Sequence, residues 1–130
     1  MQRNTKQREA IAACFSAENR PLTAAEVHAF TAKDRPSLGI ATVYRTVNAF
    51  VEIGMLVPVL IGGTNRYELS AKPRHHHFYC QKCDRAYCLK ECTVSKDRLA
   101  PEGFTVHDHE LVVYGVCPSC RSTSNGKEGE

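Results

Sequence analysis

The most specific chemistry in this chain lies in two cysteine pairs of identical spacing, Cys80-Gln81-Lys82-Cys83 and Cys117-Pro118-Ser119-Cys120. Two intervening residues let one tight turn aim both thiolates at a single ion, and two such turns complete a tetrahedral four-sulfur zinc site. A site of that kind has no open coordination position and contributes folding energy directly. A thiol redox centre needs only one pair and gives no reason for a second. Cys80, Cys83, Cys117 and Cys120 are therefore the expected ligands of a structural zinc ion (Zn2+).

A second constellation surrounds the first pair. Alternate side chains of an extended strand share a face, so His75 and His77 point one way and His76 the other. With Glu68 before them and Cys88 after, the set offers one oxygen, two imidazole nitrogens and one sulfur. Soft sulfur with imidazole suits zinc better than iron or manganese. Glu68, His75, His77 and Cys88 are the candidate regulatory site for a second zinc, with ferrous iron (Fe2+) as the alternative. A solvated histidine run has the same spacing and is the competing reading. His76, His107 and His109 are candidates for a further site on the opposite face, with Asp108 or Glu110 as its fourth ligand. Cys88 and Cys92, four apart, read as a redox pair or as alternative ligands, whereas Cys14 sits in an apolar stripe and reads as core.

The elements that position these groups fall into two halves. Ile11, Cys14 and Phe15 share a face of a helix over Gln7 to Phe15 capped by Thr5. Thr23 and Glu26 form a capping-box pattern ahead of a second helix, which buries Val27, Phe30 and Leu22 and leaves His28 on its exposed side. A third helix runs from Ile40 to Ile53 and is closed by Gly54. Its apolar arc is Ile40, Val43, Val47, Phe50 and Val51, and Thr42, Arg45, Thr46 and Asn48 lie outside that arc. Two strand-like runs, Leu56 to Ile61 and Asn65 to Leu69, flank Gly62-Gly63, a hairpin signal.

Three helices and a hairpin is the order of a winged helix-turn-helix, with the third helix as the major-groove reader. Thr42, Tyr44 and Arg45 are the candidate DNA contacts. Ser70 to Arg74 reads as a hinge. Beyond it lie short strands at Phe78-Tyr79 and Ala86-Tyr87, a short helix over Val94 to Leu99 and the longest strand, Phe104 to Val116. The fold class is α+β: a winged-helix DNA-binding domain over 1–70, a hinge at 71–74, a metal-holding dimerisation domain over 75–121 and a disordered tail over 122–130. A metal with ligands on both sides of the hinge would fix it, and so act as a switch.

Composition agrees with this reading without dictating it. The chain has 130 residues, a net charge of +3 and 42% hydrophobic residues. That is enough for two small domains that gain stability from metal or dimerisation. No run reaches the length of a membrane span and no secretory signal opens the chain, so seven cysteines in a cytoplasmic protein point to metal or redox chemistry rather than disulfides.

Four motifs, in order, resemble the ferric uptake regulator family: Thr5-Lys6-Gln7-Arg8, Ala41-Thr42-Val43-Tyr44-Arg45, His75-His76-His77 to Cys83, and Tyr114-Gly115-Val116-Cys117 to Cys120. The resemblance covers residues 3 to 121. It implies a homodimeric transcriptional repressor, not an enzyme, that binds a palindromic double-stranded DNA operator. It places Tyr44 and Arg45 on the recognition helix, structural zinc at the four cysteines, and the regulatory metal at Glu68, His75 and His77. Three departures stand out. The family's histidine ligand before the second helix is replaced by Arg20-Pro21, its carboxylate after the first knuckle by Cys88, and its glycine after that knuckle by Asp84. The first two make the chain similar to the zinc uptake regulator branch, which controls metal-uptake genes. An iron-responsive or haem-responsive regulator of the same family is the alternative. A CxxC thiol-redox protein and a zinc-ribbon module without DNA binding are the readings from other classes.

Overall fold

A computed structural model describes residues 2–70, 76–89 and 98–123. The chain divides into two compact units, Met1–Pro73 and Arg74–Glu130.

The first unit is built from α1 (Gln2–Glu18), α2 (Ala24–Ala32), α3 (Ile40–Glu52) and a hairpin of β1 (Leu56–Ile61) and β2 (Thr64–Leu69). α1 begins earlier than expected, so Thr5 lies inside the helix rather than capping it. The Thr23 capping box does form: Glu26 N donates to Thr23 Oγ1 at 3.0 Å and Thr23 N donates to the Glu26 carboxylate at 2.9 Å. Two otherwise orphaned amides of the first turn of α2 are thereby satisfied. Ile11 and Phe15 of α1, Val27 of α2, Val43, Val47 and Phe50 of α3, and Leu22, Leu38 and Leu56 form one buried cluster. Each such side chain contributes roughly 1.5–3 kcal/mol when fully buried.

The edges of the expected stripes shift. Ile40, assigned to the buried arc, is 39% exposed because it opens α3 at its first turn, whereas Thr46, placed outside the arc, is 6% exposed. His28 is half-buried rather than exposed, and its Nε2 lies 3.1 Å from Leu38 O. The wing pairs Leu56 with Leu69 through Ile61 with Thr64. Gly62 and Gly63 both take positive φ, 64° and 78°, which the two-residue turn requires and side chains resist. Leu22 and Tyr67 exchange both backbone bonds at 2.9 Å, which fastens the wing to the segment ahead of α2.

The second unit holds a three-stranded sheet in the order β4-β3-β5, with β3 (His77–Cys80), β4 (Ala86–Cys88) and β5 (Val112–Gly115), followed by α4 (Pro118–Thr123). β4 runs antiparallel and β5 parallel to β3. The long strand expected over Phe104 to Val116 is much shorter. Its only described partner, β3, has four residues, so residues 104–111 have no ladder to join. α4 was not anticipated; Pro118 at its first turn suits a position where a missing N–H is harmless. The expected hinge at 71–74, most of the helix over Val94 to Leu99, and residues 124–130 of the tail lie outside the described residues.

Candidate functional site

The two cysteine pairs meet. The thiols of Cys80, Cys83, Cys117 and Cys120 lie within 4.8 Å of one another, and all four are free of disulfides. The sheet brings them there: β3 ends at Cys80, and β5 delivers Cys117 two residues beyond Gly115, which stands opposite Cys80. A tetrahedral zinc with bonds of about 2.3 Å sets its sulfurs roughly 3.8 Å apart, and Cys83 Sγ and Cys117 Sγ are separated by 3.8 Å. Cys80 Sγ also accepts the amides of Cys83 at 3.5 Å and Cys117 at 3.3 Å, which orient the thiolate and spread its charge. The donor set therefore fits zinc, and no position is left open.

The protonation pattern shows how crowded four sulfurs are. Burial pushes the Cys80 thiol up, but the amides of Cys83, Cys117 and Lys82 and the Cys83 thiol outweigh it and bring Cys80 down to about 6. Burial and the neighbouring thiols push Cys120 up to about 12. Cys117 is lowered: against its burial stand the Cys120 amide and the hydroxyl of Tyr87, which hydrogen-bonds the Cys117 sulfur. Tyr87 was read only as a strand residue. Its strand partner Phe78 gave no hint that the hydroxyl turns to the sulfur cluster.

Two local features hold the knuckles in shape. Asp84, where the family has glycine, takes φ 64°. That left-handed conformation costs a side-chain-bearing residue about 1–2 kcal/mol, and the Tyr79 hydroxyl hydrogen-bonds its carboxylate. Gly115 has no room for a side chain, since an added Cβ would lie 2.9 Å from Phe78 Cζ.

His77 and Cys88 are direct cross-strand partners of β3 and β4. Their ligand atoms lie within 4.8 Å of each other, with His77 buried and Cys88 half-buried. Tyr87 and Cys88 are adjacent in one strand and so point to opposite faces. In the first unit Glu68 is buried on the same face of β2 as Arg66, a fully buried arginine that sequence reasoning passed over. Arg66 Nε donates to Ile61 O at 3.1 Å. Arg20, at the family's histidine position, is buried and pairs with Glu18 at 3.3 Å and Glu26 at 3.4 Å. It is held as a structural cation. His75 and Cys92 lie outside the described residues.

His76 and His109 come together, with Nε2 atoms 3.1 Å apart and ring centroids 4.6 Å apart. Leu111 N donates to His76 Nδ1 at 3.2 Å. His76 Nδ1 is therefore an acceptor, and in the neutral ring its proton sits on Nε2, facing His109. Binding a metal through both Nε2 atoms would require that proton to leave and the Leu111 contact to change.

On the first unit, α3 exposes Tyr44 and Arg45 side by side, with Thr42 half-buried beside them. Arg45 donates to Thr42 Oγ1 at 3.1 Å, which holds the guanidinium along the helix. Among the described residues no helix is long and apolar enough to cross a membrane.

Residues 2–114 match the ferric uptake regulator family. The chain is 32% identical to a ferric uptake regulation protein of Campylobacter jejuni over 91% of its own length and 79% of the relative's. Among solved structures it is similar to a zinc-bound manganese uptake regulator, with a TM-score of 0.77, 29% identity and 85% and 87% of the two chains covered. It is also similar to a zinc uptake regulator from M. tuberculosis, with a TM-score of 0.50, 25% identity and 92% and 95% covered. The chain belongs to the ferric uptake regulator family and is a metal-dependent, DNA-binding transcriptional regulator with a winged-helix domain and a four-cysteine site.

Proposed function

We propose that the chain is a zinc-responsive repressor of metal-uptake genes, acting in the cytoplasm as a homodimer on a palindromic double-stranded operator. The observation that supports this most is the cross-strand pairing of His77 with Cys88. A thiolate beside an imidazole favours zinc over the harder ions that prefer carboxylates. Glu68 and His75 complete the proposed sensing set of one oxygen, two nitrogens and one sulfur. Zinc in the four-cysteine site is the structural ion; the sensed ion is the second. His76 and His109 are the proposed pair for a further ion. Residues 1–70 bind DNA through Thr42, Tyr44 and Arg45, residues 71–74 act as the hinge, and residues 75–121 carry the metals and the dimer contact.

Iron-responsive regulation is the second reading, favoured by the name of the Campylobacter relative. Fluorescence anisotropy on a duplex from the chain's own upstream region separates the two, with free zinc and ferrous iron buffered in separate anaerobic titrations. The zinc reading expects binding to follow free zinc. It also expects Cys88→Ser to raise the zinc needed by roughly 10-fold or more, since losing even an outer partner that orients a ligand costs about that much, while the melting curve stays unchanged. A response to iron alone, untouched by Cys88→Ser, overturns it.

A further inference from the structure

The first unit carries an open cleft of about 290 Å³ between α1 and α3, lined by Gln7, Arg8, Thr42, Arg45 and Thr46. Its lining is polar on both walls, and two of its five residues are arginines. Among the described residues neither Arg8 nor Arg45 forms an ion pair with a carboxylate. The Arg8 guanidinium lies 5.8 Å from the centre of the Phe50 ring, and Phe50 is buried in the core, so the cation is steered by a fixed surface. Two unneutralised cations at one cleft, with an amide and two hydroxyls between them, form a receptor for an anion with several acceptor oxygens.

The place of the cleft on α3 says which anion. A helix with its side chains is about 10–12 Å across, and the major groove is about 12 Å wide. A helix lying in that groove therefore turns its outermost stripe to the bases and its flanks to the sugar-phosphate walls. Tyr44, Arg45 and Asn48 are exposed on the outer face of α3. Thr42 and Thr46, four apart, lie on the flank beside α1, where Gln7 and Arg8 stand.

We propose that this cleft holds a backbone phosphate of the operator, with Arg8 as its principal cation and Gln7 and Thr46 as supporting donors. Arg8 thus positions α3 on the duplex without reading sequence, whereas Arg45 borders both the cleft and the base-facing stripe. The proposal rests on the DNA-binding reading and deepens it by assigning the motif Thr5-Lys6-Gln7-Arg8 a job in phosphate recognition rather than in helix capping.

The test compares wild type, Arg8→Gln and Arg8→Lys, all zinc-loaded. Each is titrated on the upstream duplex and on a scrambled duplex of equal length across a range of salt. Arg8→Gln removes the charge, and with it the cation over Phe50, and leaves a polar side chain. Loss of one phosphate contact should weaken binding about fivefold for each subunit bound, equally on both duplexes, and flatten the salt slope by about 0.9 per subunit. Arg8→Lys should restore most of the slope. A neutral methylphosphonate scanned along the duplex should reproduce the loss for wild type at one position per half-site and cost the Arg8→Gln variant nothing there. Unchanged affinity and slope in a folded Arg8→Gln protein overturn the cleft while leaving DNA binding in place, and so does a loss confined to the upstream duplex, which would make Arg8 a base reader. A wild type without affinity for either duplex overturns the DNA reading itself and the cleft with it.

Discussion

Replacing Tyr87 by Phe removes one hydroxyl and almost nothing else. That hydroxyl hydrogen-bonds the Cys117 sulfur from a half-buried position on β4. Hydrogen bonds to charged acceptors are worth about 1.5–3 kcal/mol, and partial exposure brings the expected value down to about 1–2 kcal/mol. At 1.4 kcal/mol per tenfold, zinc should bind the four-cysteine site roughly 5–30 times more weakly. Competition against a chromophoric chelator at neutral pH measures this directly, and retained circular dichroism of the zinc-loaded variant shows that the fold survives. Because Tyr87 and Cys88 point to opposite faces of the strand, the zinc threshold for DNA binding should not move once the four-cysteine site is full. Zinc affinity within twofold of wild type would refute the hydroxyl's role. A shifted DNA threshold at saturating structural zinc would refute the separation of the two faces.

Four further outcomes are expected. Asp84→Ala should destabilise the zinc-loaded protein in urea by about 1 kcal/mol or more, since it keeps the left-handed backbone and loses the Tyr79 contact. Asp84→Gly should be near neutral, and equal losses for both would refute the strain argument. In zinc-free protein the thiolate absorbance should rise in separate steps, one near pH 6 from Cys80 and one near 12 from Cys120, instead of a single step near the ordinary thiol value of 9.0. From pH 6 to 9 the unfolded chain holds the Cys80 proton that the folded chain has released. Stability of the zinc-free second unit should therefore climb with pH there, and fall from 9 to 12 as Cys120 reverses the sign; a flat profile in urea melts refutes this. Excess metal bound by His76 and His109 should move the Leu111 amide resonance, because His76 Nδ1 can no longer accept its proton. An unmoved resonance at full His109 occupancy would refute the tautomer assignment.

The parts of the fold that were legible in sequence were those where a local rule acts alone. The Gly62-Gly63 turn and the Thr23 capping box need only their own residues, and both formed as read. The four cysteines declared themselves because two identical spacings are hard to explain otherwise. What stayed hidden depends on partners distant in sequence. The reach of β5 is set by the four residues of β3, and no pattern within Phe104 to Val116 contains that limit. Thr46 is buried because neighbouring elements cover its side of α3, although its hydroxyl placed it outside the apolar arc. Arg66 and Tyr87 carry polar atoms that find acceptors only after the chain has folded. His76 and His109 could be grouped in advance as candidates for one site, but the Leu111 amide that fixes the tautomer could not be foreseen.

The parallel pairing of β3 with β5 has a consequence for synthesis. The sulfur of Cys80 accepts the amide of Cys117, 37 positions later, so the two halves of the zinc site are made far apart in time. Until Cys120 has emerged, the nascent chain holds at most three of the four sulfurs of this site and cannot complete its tetrahedron. Capture of an ion by all four sulfurs has to wait until the second knuckle has been made, and a product cut short between the knuckles would carry half a site and lack the folding energy such an ion supplies. Only a chain translated through its second knuckle can present all four sulfurs to one ion, so a filled site would report that the chain has been made that far.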